Sequence, residues 1–270
     1  MTTSARTPQS QLSHDRFCTE IVAQADLLRA HIDGADLSVT VPTCPDWTLR
    51  QLVEHVGRAH RWAEAMVRTR ASEQLDENDL PDSAPADDDP ATLATWFGDG
   101  ARRLADTLRA AGPDTACWSW AWQQDSGFWA RRMTHETVIH RADAALAAKA
   151  EYDVAPEIAA DAIDEWLRIV RYVQDVDARD GAQELKAGGR TLHLHATDTA
   201  PESAAEWLIE LGDEGIVWRR EHGKADVALR GPMTDLLLAF YRRRSLDDGG
   251  VEVLGDRALL DFWLERATFG

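Results

Sequence analysis

Glu136 and His140 stand four residues apart, a spacing that puts a carboxylate and an imidazole one above the other on a helix face. The residues around them read as helix. Trp129, Met133, Glu136, His140, Asp143 and Ala147 recur at spacings of three and four and form one stripe. A carboxylate in a core-facing stripe is costly unless it is paired or bound to a metal. An earlier segment carries a second inward stripe of Leu52, His55, Ala59, Trp62 and Met66. His60 lies on the adjacent stripe with Val53, Val56 and Ala63, so periodicity leaves both histidines open. One such histidine with the Glu136/His140 pair makes a set of two imidazoles and one carboxylate. That set suits a catalytic zinc ion with one open position or a non-haem iron, and helix bundles hold such sites in their cores. A hydrogen-bonded core histidine and a surface Glu–His pair are the plainer readings of the same residues. The zincin H-E-x-x-H signature does not apply, because His140 falls one residue too late after His135 and Glu136.

Positioning these groups requires helices. One runs from Leu12 to about Ile32, with Phe17, Ile21, Ala25, Leu28 and Ile32 at helical spacing. Thr48-Leu-Arg-Gln51 has the form of a capping box, with Trp47 before it as a staple, and opens a helix to about Arg70. Further helices are expected over 90–111, 128–150 and 156–172. The Cys-Trp-Ser-Trp-Ala-Trp run at 117–122 alternates like a short extended piece. Past about 178 the period changes to two: 191–196, 206–210, 216–218, 225–230 and 251–254 read as strands, and 232–243 and 256–267 as helices. The expected fold class is therefore α+β, a helical domain over 1–175 followed by a smaller α+β domain over 176–270. Residues 1–11 read as a flexible leader.

The 270 residues suffice for two such cores. A net charge of −18 argues against nucleic acid as a partner. Nearly half of it comes from residues 73–89, which carry eight acidic and no basic residues and read as a solvated, mobile loop. The first seventeen residues lack the apolar core of a signal peptide, and no apolar run reaches membrane-spanning length. Cys18, Cys44 and Cys117 are odd in number and far apart, so neither a disulfide framework nor a metal knuckle is read. A cytoplasmic protein, monomer or homodimer, is the expectation.

Two longer motifs add a resemblance. Val41-Pro-Thr-Cys-Pro-Asp-Trp-Thr-Leu-Arg-Gln-Leu-Val-Glu-His55 and Phe128-Trp-Ala-Arg-Arg-Met-Thr-His-Glu-Thr-Val-Ile-His-Arg-Ala-Asp143 resemble the two signatures of the mycothiol-dependent maleylpyruvate isomerase family. Leu229-Arg-Gly-Pro-Met-Thr-Asp with Val251-Glu-Val-Leu-Gly-Asp-Arg resembles its C-terminal domain. The resemblance implies a DinB-like four-helix bundle holding a divalent metal, usually zinc, and a smaller sterol-carrier-like α+β domain. It implies His55, Glu136 and His140 as the metal ligands. It also implies mycothiol, an actinobacterial sugar thiol, as cosubstrate, and Arg243 as the partner of a substrate carboxylate. Arg243 sits in Tyr-Arg-Arg-Arg at 241–244, where cations near a helix end are the plainer account.

Asp143, one turn past His140, is placed to orient a ligand or to form a surface pair with Arg141. Trp118, Trp120, Trp122 and Trp129 read as core packing or as a flat wall for a ligand. Cys44 reads as structural. His193 and His195 share a strand face, with no role assigned. The function expected first is mycothiol-dependent S-transfer to a small electrophile through a zinc-bound thiolate. Maleylpyruvate cis–trans isomerisation stands second, and a non-catalytic binder of apolar ligands with a structural metal stands third.

Overall fold

The computed structural model describes residues 10, 12–200 and 205–268, so the expected leader lies, Ser10 apart, outside the described residues. Two compact units divide between Tyr152 and Asp153. The first holds four long helices: α1 (His14–Ile32), α2 (Leu49–Thr69), α3 (Pro90–Ala111) and α4 (Ser126–Ala148). Each of α1 and α2 packs against both α3 and α4, which closes a bundle. Its core includes Ile21 and Leu28 of α1, Leu52 and Met66 of α2, Phe97 and Leu104 of α3 and Trp129 of α4. Caps fix where these helices start. Thr48 and Gln51 form the expected capping box, Asp89 caps α3 ahead of Pro90, and Asp125 accepts from the Phe128 amide at α4.

Before α2 the chain makes a hairpin that the sequence periodicity does not announce, β1 (Thr40–Val41) with β2 (Cys44–Thr48). The 117–122 run, expected to be extended, forms no strand; a single bridge, Ala116 to Asp125, flanks it. Its tryptophans pack instead. Trp118 meets Trp62, and Trp120 and Trp122 both meet the edge of Phe128. The acidic segment keeps its carboxylates largely in solvent, yet its backbone is tied to the bundle. The indole N–H groups of Trp62 and Trp96 donate to the carbonyls of Leu75 and Asp82, each at 2.8 Å.

Helices α2 and α3 approach closely where Gly57 faces Trp96. Arg61, one turn on, is buried, donates to the Gly57 and Trp96 carbonyls and lies 3.9 Å from the centre of the Trp96 ring. A Cβ on Gly57 would collide with that ring. Gly57→Ala is expected to lower unfolding free energy by about 1–3 kcal/mol through overpacking, read as a reduced denaturant midpoint with an unchanged slope.

The second unit contains α5 (Pro156–Val176), β3 (Arg190–Ala196), β4 (Glu206–Gly212), β5 (Gly215–Arg219), β6 (Val227–Gly231), α6 (Met233–Phe240), β7 (Glu252–Gly255) and α7 (Arg257–Arg266). The sheet order is β5-β4-β3-β6-β7, with β3 and β6 parallel and the other pairs antiparallel. Alternation along β3 and β4 buries Leu192, Leu194, Trp207, Ile209 and Leu211. Helix α6 lies against β3 and β6, and α5 packs on α6 and β5. The expected boundary near 175 is therefore corrected to 152/153. The indole of Trp207 donates to Asp164 of α5 at 2.8 Å, and Tyr241 donates to the Ala162 carbonyl at 2.8 Å, both within this unit.

Candidate metal centre

The stripe read on α4 and one of the two candidate histidines on α2 meet inside the bundle. His55 Nε2 lies 3.1 Å from Glu136 Oε1, and His140 Nε2 lies 3.2 Å from the same oxygen. The three donor atoms fall within 4.8 Å of one another. His60 points elsewhere. It is fully buried, stacks on Phe97 and bonds Thr137 Oγ1 at 2.8 Å. Burial, helped by the charge of Arg61, pushes its pKa down to about 3, which makes it a neutral core histidine. His135 is likewise buried, edge-on to Phe17.

Support for the three donors comes from behind. Asp143 Oδ2 accepts from His140 Nδ1 at 2.9 Å, while Oδ1 accepts from Thr43 Oγ1 at 2.5 Å. The Cys44 thiol also points to Asp143, at 3.9 Å. Thr43 and Cys44 belong to the β1–β2 hairpin, so the element that periodicity did not announce holds the orienting carboxylate. Neither Asp143 nor Arg141 is a surface residue: Asp143 is fully buried, and Arg141 is buried over the Tyr152 ring. Arg132 donates to the outer oxygen of Glu136 at 3.2 Å. Trp47, expected as a helix staple, lies on the imidazoles instead, 4.6 Å from the His55 ring and 6.2 Å from the His140 ring. Side-chain exposure rises along the chain of contacts, from 0% at Asp143 through 11% at His140 and 20% at Glu136 to 34% at His55. The donors thus face solvent while their support is dry.

The donor set fits a divalent ion. Two ligands held about 2.0–2.1 Å from a tetrahedral ion stand about 3.3 Å apart, close to the 3.1 and 3.2 Å found here. An imidazole whose far nitrogen is bound to a buried carboxylate is the usual outer support of a metal-binding histidine.

Electrostatics of the site follow from the same contacts. Burial raises the Glu136 carboxyl, but the His140 charge, hydrogen bonds from His140 and His55, and Arg132 outweigh it and hold Glu136 well below the usual carboxylate range. Burial lowers His140, but Glu136 and Asp143 outweigh it and push its pKa up to about 9. A raised folded pKa contributes stability that is complete below the unfolded value near 6.5 and is lost as pH rises through about 9. Metal must displace that proton. Zinc binding at pH 7.5 is expected to release about one proton, and affinity to climb with pH up to about 9. Calorimetry in buffers of different ionisation enthalpy reads both; an affinity independent of pH across this window would remove His140 from the ligand set.

Arg243 lies just past α6 in the second unit. The chain turns there through Arg242, which has a φ of 61°. Arg243 Nη1 donates to the Tyr241 carbonyl at 3.0 Å, and Arg244 forms an ion pair with Asp235.

Comparison with known proteins agrees with the architecture. Residues 18–145 match the mycothiol maleylpyruvate isomerase N-terminal domain, and residues 157–262 match the C-terminal domain of the same family. A crystal structure of a mycothiol-dependent maleylpyruvate isomerase superposes with a TM-score of 0.56 at 16% identity, covering 90% of this chain and 93% of that one. A second structure, of a histidine-to-alanine mutant of such an isomerase, gives 0.57 at 15% identity with the same coverage. At such identities the likeness speaks for the fold. No curated protein matches the chain. Among the described residues no helix is long and apolar enough to cross a membrane.

Proposed function

Because this chain belongs to the mycothiol-dependent maleylpyruvate isomerase family, enzymes of the isomerase or transferase type, we propose that it presents the sulfur of mycothiol as a thiolate to a small electrophilic substrate. The observation that carries this reading is the convergence of His55 Nε2, Glu136 Oε1 and His140 Nε2 on the solvent-facing side of the site. These three residues would hold a divalent ion, and zinc suits two imidazoles, one carboxylate and an open fourth position. When bound, such an ion acidifies a coordinated thiol and so supplies a nucleophilic sulfur at neutral pH.

The chain's own residues have separable roles in this proposal. Asp143 is a positioning residue. It accepts a hydrogen bond from His140 Nδ1–H and so directs Nε2 toward Glu136. Arg132 occupies the outer oxygen of Glu136, leaving Oε1 to the imidazoles. Trp47 covers the two rings and excludes water from that side. Arg243 is assigned to a substrate carboxylate, which its planar fork matches.

In the first reading the new carbon–sulfur bond is kept, which is S-transfer. The second reading, favoured by the family match, is reversible. The sulfur adds to the maleyl double bond, rotation follows about the resulting single bond, and the same sulfur leaves to give the fumaryl isomer. Incubation of the zinc-loaded protein with mycothiol and either maleylpyruvate or a panel of small electrophiles, followed by mass spectrometry, tests both. A stable mycothiol adduct supports transfer, and product with thiol unconsumed supports isomerisation. No turnover of any substrate that depends on the thiol would overturn the proposal.

A further inference from the structure

The sheet of the second unit carries another convergence of imidazoles, unrelated to the bundle site. His193 and His195 alternate onto one face of β3. In the β3–β4 register Glu206 stands directly opposite His195, and His193 is its diagonal neighbour. The loop after β5 brings His222 to the same point. Three ring nitrogens then surround a single oxygen, Glu206 Oε2: His193 Nε2 at 3.0 Å, His195 Nδ1 at 3.0 Å and His222 Nδ1 at 2.7 Å.

From this geometry we propose a second transition-metal site, made by His193, His195, His222 and Glu206. The donor atoms of the four residues lie within 4.8 Å of one another, as in the bundle site. The rings are steeply inclined, at 70°, 89° and 80°, with centroids 5.2–6.0 Å apart. His55 and His140 show the same disposition, 82° and 5.1 Å. A carboxylate oxygen offers about two lone-pair sites, so three ring nitrogens over-fill it, whereas a cation among them takes all four donors at once. Three imidazoles and a carboxylate suit zinc, copper or nickel rather than magnesium or calcium.

The site is built from rigid parts. His193 is buried at 5% exposure, and the loop bearing the exposed His222 is anchored on both sides. Before it, Arg220 pairs with buried Asp164 at 2.6 Å; after it, Gly223 seats on Leu208. Four protein ligands close the coordination sphere, which gives the ion a structural role. It clamps the 220–226 loop to β3 and β4. The bundle site, with three donors, keeps a position open.

Metal counting in four proteins separates the two sites. Each is stripped with chelator, loaded with zinc, dialysed and analysed for metal. Wild type is expected to hold about two ions per chain, His140→Ala and His195→Ala/His222→Ala, which leaves only His193 and Glu206 at the sheet, about one each, and the variant with all three substitutions none. Zinc should raise the melting temperature of His140→Ala and leave that of the variant with all three substitutions unmoved. Cobalt in His140→Ala should give the intense visible bands of a tetrahedral ion. His222 is exposed and His195 partly so, so their removal tests the site while the buried His193 stays in the sheet, and thiol-dependent turnover is expected to persist. Equal zinc in wild type and His195→Ala/His222→Ala, or no zinc in His140→Ala, would overturn this site. Loss of zinc confined to His140→Ala would leave the bundle site standing alone.

Discussion

His140→Ala is expected to abolish stoichiometric zinc in the bundle and to lower thiol-dependent turnover by more than the roughly 10–100-fold that loss of an outer support costs. The substitution removes a donor from a set of three, and nothing nearby can replace it. His60 is committed to Thr137 and Phe97 on another stripe, and His135 packs against Phe17. It also strips Glu136 of one partner and removes the Nδ1 donor from buried Asp143. Added zinc should not rescue the variant. Its folding is checked by the unfolding midpoint of the metal-free protein, so that a ligand effect is not mistaken for collapse.

Asp143→Asn should behave differently. The isosteric amide keeps the shape of the pocket and still offers an oxygen to His140, but it loses the charge that fixes the imidazole. Zinc affinity is expected to fall about 10–100-fold, and excess zinc should restore turnover. That rescue separates a positioning residue from a ligand. Asp143→Ala adds a cavity and leaves the Thr43 hydroxyl and the His140 Nδ1–H without their acceptor, so stability should fall as well. If Asp143→Asn bound zinc as tightly as wild type, the assignment of Asp143 would be wrong.

Local chemistry made the helices and half of the site readable from sequence. The 3–4 spacing on α4 aligned Glu136 with His140, and the Thr48–Gln51 box marked the start of α2. Period alone did not separate His55 from His60, because both face α4, one toward Glu136 and the other toward Thr137. The longer motif chose His55, which is the histidine that lies beside Glu136. The β1–β2 hairpin escaped because its strands are short and Pro45 breaks the pattern a strand should show. Trp-x-Trp-x-Trp at 117–122 mimicked a strand; its alternation reflects packing against Trp62 and Phe128. Helix α5 was legible as a helix, but its partners, α6 and β5, come later in the chain, and period does not name partners. The four-residue cluster around Glu206 was half visible. Alternation paired His193 with His195, while Glu206 and His222 join them only through strand register and a loop.

Whether the bundle site takes the sulfur of mycothiol as a thiolate can be read from the near-ultraviolet spectrum of the cobalt-substituted protein titrated with mycothiol. The His195→Ala/His222→Ala background is used so that only the bundle site is loaded. A sulfur-to-cobalt charge-transfer band is expected, saturating at about one thiol per chain and absent when His140→Ala is added to that background. Cobalt bound without such a band, or mycothiol bound equally well by the metal-free protein, would contradict a metal-bound thiolate.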